Sequence, residues 1–284
     1  MAQDGPNSAA DDSLVRKVVT PIEGIGELTL DTIEHIGGAL FLFIESLAWI
    51  GRGTMKPKVR IGRAAIVTQI VRVGVRSVAI VSLVSGCVGL ILAFQLAPPL
   101  DQFGQKSLVA NIISVAVLRE LGPLIGAIVL TGFAGASIAA EIGTMVVSEE
   151  VEALEAHALD PVRFLVVPRL VASILSMACL SVIACVVSIA AALLISVTAL
   201  GIPYANFMTN MLEQAKLVDF VTGVSKGGVF GVLIGVIACT NGLKVEGGAA
   251  GVGRATTGTV VQSVVAIVIA DLAFTAAFFA LGLV

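Results

Sequence analysis

The sequence predicts an all-α integral membrane protein of about five transmembrane helices, preceded by an N-terminal amphipathic helix lying in the membrane interface. Three observations carry this. Hydrophobic residues make up 57% of the 284 residues and charged residues 13%, and the mean hydropathy of +1.03 lies outside the range of ordinary soluble domains. Several uncharged runs reach the roughly 20 residues that a helix needs to cross a bilayer. Basic residues crowd ahead of the first run: Arg52, Lys56, Lys58, Arg60, Arg63, Arg72 and Arg76. The loops assigned to the far side, around 101–106 and 201–219, hold only Lys106 and Lys216. That asymmetry puts the N-terminus in the cytoplasm.

Residues 1–20 have neither the basic start and apolar core of a signal peptide nor the Arg-rich, acid-poor character of a transit peptide. They read as a disordered cytoplasmic tail, and 21–284 as one membrane domain. The segment 28–50 carries Ile33, Ile36, Leu40, Ile44 and Leu47 at helical spacing, with Glu45 in its apolar half and Trp49 near its end. Its longest uncharged run, Ile36–Ile44, is too short to span, so the segment reads as the interfacial helix, with a buried helix as the rival. The spans follow at about 77–100, 108–147, 169–200, 220–242 and 257–282. Ser107 to Ser148 would make a helix of about 63 Å, twice the hydrocarbon core. It is expected to break near Gly122-Pro123 or to project well into the cytosol. Gly201-Ile202-Pro203 interrupts the apolar run 170–212. Five crossings leave 148–163 and the loop 241–256 inside and Val284 outside.

Four charged residues, Arg119, Glu120, Lys226 and Asp271, sit inside long apolar stretches, and their charges sum to zero. One ion at mid-bilayer costs roughly 2.5–3.5 kcal/mol even on lenient insertion scales, so such residues pair and mark functional cavities. Counted along their helices, Glu120 and Asp271 both lie about 20 Å from the outer ends, a level that the long stem of Lys226 can approach. A network of Lys226 with Glu120, Asp271 or both is therefore expected, with Arg119 in it or at a cavity wall. Gly223, Gly227, Gly231 and Gly235 recur every four residues beside Lys226, a side-chain-free ridge that lets another helix approach. Chance placement among 30 glycines is the plainer alternative.

The segment 148–161 reads as a short acidic helix capped by Ser148, with Glu149 and Glu150 at the positive end of its dipole. Asp160 is placed to cap a second helix whose first residue is Pro161. Val151, Leu154 and Ala158 form an apolar stripe among Glu149, Glu150, Glu152 and Glu155. Such a pattern suits docking into a groove on a soluble partner; a solvated acidic loop is the alternative. Cys87, Cys179, Cys185 and Cys239 fall in or at the ends of apolar spans without metal-type spacing and read as small hydrophobes, so no metal site is expected. No phosphate-binding Gly-x-x-x-x-Gly-Lys-Ser/Thr loop is present: Gly104-Gln-Lys-Ser107 lacks the upstream glycine. His35 and His157 form no triad with a nucleophile, so the chain is not expected to be an enzyme.

The runs Arg119-Glu-Leu-Gly-Pro123, Gly132-Phe-Ala-Gly-Ala-Ser-Ile-Ala-Ala-Glu-Ile-Gly-Thr-Met145, Ser148-Glu-Glu-Val-Glu-Ala-Leu-Glu155, Asp160-Pro161, Val167-Pro-Arg169 and Gly253-Arg-Ala-Thr-Thr-Gly-Thr-Val-Val261 together resemble the MlaE/YrbE permease family. The resemblance extends from about residue 25 to the C-terminus. It implies a dimeric transmembrane subunit, a homodimer being the simplest form, of a lipid ABC transporter in the bacterial inner membrane. It also implies a cytoplasmic ABC ATPase that binds ATP and Mg, an outer MCE-domain (MlaD-like) protein, room for a STAS-domain (MlaB-like) protein, and no cofactor in this chain. Residues 148–161 match the family's coupling helix, and Glu120, Lys226 and Asp271 match charged positions of its membrane core. Position 133, often Arg in relatives, is Phe here. Phospholipid or a related lipid is the implied substrate, and nothing points to nucleic acid. The alternative is a proton-coupled secondary lipid transporter relaying protons through Glu120 and Asp271.

Overall fold

A computed structural model describes residues 33–52 and 62–282. The expected tail, residues 28–32 of the N-terminal helix, Lys56, Lys58, Arg60 and Val284 lie outside the described residues. Every regular element among those described is helical. Two compact units divide at Glu45 and Ser46. Helix α1 (Ile33–Arg52) is 20 residues long and runs across that division. Within the second unit, the Trp49 ring has the Arg52 guanidinium at 5.1 Å and that of Arg163 at 5.5 Å.

The second unit continues with α2 (Arg63–Val73) and α3 (Val78–Gln102), joined through a 3₁₀ turn at Val75–Ser77. Helices α4 (Val109–Ala116), α5 (Gly122–Leu130) and α6 (Ala136–Val147) follow, then the short α7 (Glu150–Ala156). Helices α8 (Val167–Thr198), α9 (Tyr204–Gln214), α10 (Leu217–Leu243) and α11 (Gly248–Ala280) complete it. Among the described residues, six helical stretches are long and apolar enough to cross a membrane: Ile33–Arg52, Ala64–Gln102, Lys106–Val147, Val162–Thr198, Leu217–Leu243 and Gly248–Ala280. Large apolar side chains such as Leu83, Val186, Leu194, Ile269 and Leu272 point outward, 61–71% exposed. In water that surface would be an aggregation hazard; in hydrocarbon it is the solvent-facing side.

Helix α8 is the hub, packed against α2, α3, α5 and α10, while α10 also meets α6 and α11. Small residues allow this: Ala172, Ser173, Ser176, Ser181, Ala184 and Ser188 are buried along α8. Without a hydrophobic drive between helices in lipid, close approach of backbones supplies much of the attraction.

Three boundaries depart from the sequence reading. The first long helix begins 13 residues earlier than expected, at Ala64, so Arg72 and Arg76 lie within it rather than before it. Arg72 tolerates this because its guanidinium pairs with the Glu141 carboxylate. The 42-residue stretch from Lys106 to Val147 does not break at Gly122-Pro123 but stays helical through two π-turns, Val117–Leu121 and Thr131–Gly135. Proline has no N–H to continue the α-helical ladder. The π-turn closes just before it, the Gly122 N–H reaching back to the Val117 carbonyl, so Pro123 is absorbed as a bulge rather than a break. The same device precedes Pro168, where the Val167 N–H bonds to the Val162 carbonyl. Finally, most of the expected loop 241–256 is helix, and the connection shrinks to 244–247. Gly247 and Gly248, at φ 82° and 66°, reverse the chain in left-handed conformations. The polar Thr256 and Thr257 turn their hydroxyls back onto the Gly253 carbonyl at 2.7 and 3.1 Å.

Candidate functional site

The buried charges come together on three helices. Lys226 of α10 is 1% exposed, and its Nζ donates to Glu120 Oε1 at 2.6 Å and Oε2 at 2.7 Å, to Asp271 Oδ1 at 3.0 Å and to Thr275 Oγ1 at 3.1 Å. Thr275 Oγ1 in turn lies 2.9 Å from Glu120 Oε1, and the Phe278 ring faces the ammonium at 5.8 Å. Glu120 stands in the first π-turn and Asp271 on α11. The ammonium therefore ties the Lys106–Val147 rod, α10 and α11 at a single point.

Arg119 is not part of that cluster. Adjacent positions on a helix point about 100° apart, and Arg119 turns instead to Asp219, Nε to Oδ1 at 2.6 Å. Asp219 is 1% exposed and also accepts from the Lys216 N–H at 2.9 Å, so it caps α10 while it neutralises Arg119. Asp219 was missed in the sequence because it lies in a stretch assigned to an outer loop. Its signal was there: it precedes Lys226 by seven residues, two helical turns, so an Asp219/Lys226 pair presents opposite charges to Arg119/Glu120. The corrected cluster of Lys226, Glu120 and Asp271 carries one cation against two carboxylates.

The four ridge glycines face two neighbours. A Cβ at Gly223 would overlap the Leu118 carbonyl oxygen in the first π-turn. One at Gly227 would lie 2.8 Å from Ser181 Oγ, one at Gly231 2.7 Å from the Ser173 carbonyl oxygen, and one at Gly235 3.0 Å from Leu170 Cδ1. Gly122 is as tightly held, since a Cβ there would overlap Cys185 Sγ.

Helix α7 stands apart from this core. Glu150, Glu152 and Glu155 are exposed, and Val151 and Leu154 are half-buried. Asp160 Oδ1 accepts the Val162 and Arg163 N–H groups at 2.9 and 3.2 Å, capping the helical turn that begins at Pro161. Ser148 does not cap α7: its hydroxyl donates back to the Thr144 carbonyl at 2.9 Å. The reason is the tightness of the corner, in which only Ser148 and Glu149 separate α6 from α7: Glu149 is left-handed at φ 59°, and Ser148 closes the end of α6. Ala158, at φ 55°, and Leu159 are exposed beyond the helix end.

Sequence comparison decides what kind of protein carries this arrangement. The family model described as Permease MlaE matches residues 66–277. The chain belongs to the MlaE permease family. Among its relatives, a probable ABC transporter permease protein of Rickettsia typhi is 34% identical over 256 residues, covering 90% of this chain and 96% of the relative. A probable ABC transporter permease protein of Synechocystis is 37% identical over 212 residues, 75% of this chain and 81% of the relative. The intermembrane phospholipid transport system permease protein MlaE of Haemophilus influenzae is 30% identical over 266 residues, 93% of this chain and 100% of the relative. As an MlaE-family permease with its membrane-spanning helices, the chain is a multi-pass membrane protein of the lipid-transport class. In family terms, the charge cluster ties together three of its membrane helices, and α7 protrudes between two of them.

Proposed function

We propose that this chain is the permease subunit of an ABC transporter moving phospholipids or related lipids between the bacterial inner membrane and the outer envelope. A separate cytoplasmic ATPase, binding ATP and Mg, drives it. The observation that carries this reading is end-to-end similarity to the Haemophilus intermembrane phospholipid transport permease. The exposed acidic α7 (Glu149, Glu150, Val151, Glu152, Leu154, Glu155, with Asp160 and Pro161 after it) supplies a contact for the ATPase. A second permease copy, an MCE-domain protein and a STAS-domain protein are its further partners, and the N-terminus lies in the cytoplasm. Helix α1 lies in the interface on this reading, in keeping with Glu34, His35 and Glu45 along it and the lowest mean hydropathy of the six candidate spans, 1.4.

The mechanism follows from the rod. Helix α7 hangs on the end of Lys106–Val147 through just two residues, Ser148 and Glu149, and Glu120 sits 27 residues up the same rod, about 40 Å along the helix axis. A push on α7 is thus delivered to the point where Lys226 joins three helices. The two π-turns are where the rod can change direction without losing its hydrogen bonds. The charge cluster acts here as a clamp holding the register of the helices, and the lipid cavity opens or narrows by helix rearrangement around it.

The test is reconstitution of the permease with its co-purifying ATPase in proteoliposomes carrying a fluorescent phospholipid. ATP-dependent lipid movement, lost when ATP is replaced by a non-hydrolysable analogue, is expected. Movement driven by a proton gradient without the ATPase, and abolished by Glu120→Gln or Asp271→Asn, would instead establish the secondary-transport alternative.

A further inference from the structure

A second cluster of charges lies away from Lys226. Arg72 on α2 pairs through Nη1 with Glu141 Oε1 on α6, and Arg169 at the start of α8 reaches Glu141 Oε2 through Nη2 at 3.4 Å. Arg169 is 5% exposed and donates Nη1 to the Leu165 carbonyl at 2.8 Å. Arg76, one turn above Arg72, has no ion-pair or hydrogen-bond partner among the described residues. Two guanidinium groups thus share one carboxylate and a third, Arg76, lines the same place unpaired, an excess of two positive charges on helices long and apolar enough to span. Arginines on a membrane-spanning helix are most stable where they meet an anion.

The same place holds a cavity. Its volume is about 140 Å³, and Arg72, Arg76, Phe133, Ser137 and Glu141 are among its lining residues. Whole-ligand pockets occupy about 300–1,000 Å³, so this cavity has room for a charged group but not for a complete lipid. Phe133, 43% exposed, supplies an apolar wall, and Val67, Val71 and Val75, 58%, 48% and 59% exposed, run beside the arginines along α2 and the 3₁₀ turn after it. A phosphate could enter while attached chains stay outside along these valines. Arginine suits the task because its planar fork matches phosphate oxygens.

We propose that Arg72 and Arg76, with the Phe133 wall, form a phosphate-binding site between α2 and α6, filled by the phosphate of an anionic phospholipid. This deepens the lipid reading above, but its test needs no ATPase and no transport, so either can fail alone. The full-length permease is titrated with phosphatidylglycerol, with diacylglycerol, which has the chains but no phosphate, and with inorganic phosphate, and bound ligand is counted by native mass spectrometry. Phosphatidylglycerol should bind and diacylglycerol should not. Arg76→Gln should weaken phosphatidylglycerol about tenfold, the loss expected for one charge-assisted hydrogen bond, while Arg76→Lys recovers part of the affinity. Inorganic phosphate that binds as tightly as phosphatidylglycerol and displaces it would keep the site and assign it to free phosphate. Undiminished phosphatidylglycerol binding in Arg76→Gln and in Arg72→Gln, or equal binding of diacylglycerol, overturns the proposal. Each variant is compared at matched yield and thermal unfolding temperature, and Arg76, unpaired and exposed, is the position whose removal disturbs the fold least.

Discussion

Lys226 Nζ lies 2.6 and 2.7 Å from the two carboxylate oxygens of Glu120, although 106 residues separate them and the lysine is 1% exposed. Asp271 and Thr275 complete the ammonium's coordination. Three hydrogens meet four oxygens, so the cation is satisfied and two carboxylates share it.

That imbalance makes the three neutralisations unequal. Lys226→Met leaves Glu120 and Asp271 facing each other with no cation, whereas Glu120→Gln leaves a balanced Lys226 and Asp271 pair. Removing one partner of a buried pair costs about 3–5 kcal/mol. With the Glu120 side chain 35% exposed, Lys226→Met should fall near the lower end, about 3 kcal/mol. Glu120→Gln should cost clearly less, and Asp271→Asn added to Lys226→Met should restore part of the loss. Thermal unfolding of the singles and doubles checks this, and strictly additive losses would refute the coupling.

The glycine ridge gives a contrast within one helix. Gly223→Ala drives a methyl into the Leu118 carbonyl, and Gly231→Leu pushes α10 off Ser173 and Ile174 of α8. Overpacking of this kind costs about 1–3 kcal/mol. Gly228, with nothing within 4 Å of a built Cβ, should accept alanine and gain about 0.5–1 kcal/mol of helix stability. Yield and unfolding temperature of the three variants measure it; equal behaviour of Gly223→Ala and Gly228→Ala would mean that the ridge makes no close contact.

Charge and spacing made the core of this arrangement legible in the sequence. Glu120, Lys226 and Asp271 stood out because ions in apolar runs need partners, and the four-residue glycine period marks one face of a helix. What could not be read was continuity. Pro123 signals an interrupted ladder, but whether the chain breaks or bulges depends on Gly122 fitting under Cys185 and on the Val117 carbonyl, which only tertiary packing decides. The partner of Arg119 is hidden in the sequence for a similar reason. That partner, Asp219, lies in the first turn of α10, where a carboxylate reads as a capping group and is also a counter-ion. Arg72 and Arg76 read as flanking charge in the sequence because Glu141, the partner of Arg72, belongs to a different helix.

Asp219 therefore has two separable roles. Asp219→Asn keeps an oxygen for the Lys216 N–H and loses the charge beside Arg119. Asp219→Ala loses both, and should be destabilising by about 1 kcal/mol more, the usual worth of an N-cap. Adding Arg119→Met should recover stability in the alanine variant, because the orphaned guanidinium goes too. Chemical or thermal unfolding in detergent reports all three, and a loss unchanged by Arg119→Met would show that the ion pair contributes nothing.

The last prediction separates docking from folding. On α7, Leu154 is half-buried among exposed glutamates, and its carbonyl accepts the His157 and Leu159 N–H groups at 3.1 and 3.0 Å. The backbone of the helix end is thus held independently of the side chain. Leu154→Arg replaces the middle of the apolar stripe with a cation while leaving those hydrogen bonds intact. A groove that receives an apolar side chain loses more from an inserted charge than from a truncation, since the ion is stripped of water on docking. Permease yield and unfolding temperature should therefore hold, while the co-purifying ATPase and ATP-driven lipid movement are lost. Leu154→Ala should retain part of both. Unchanged co-purification and transport in Leu154→Arg would mean that α7 is a solvated acidic loop and that the motor docks elsewhere.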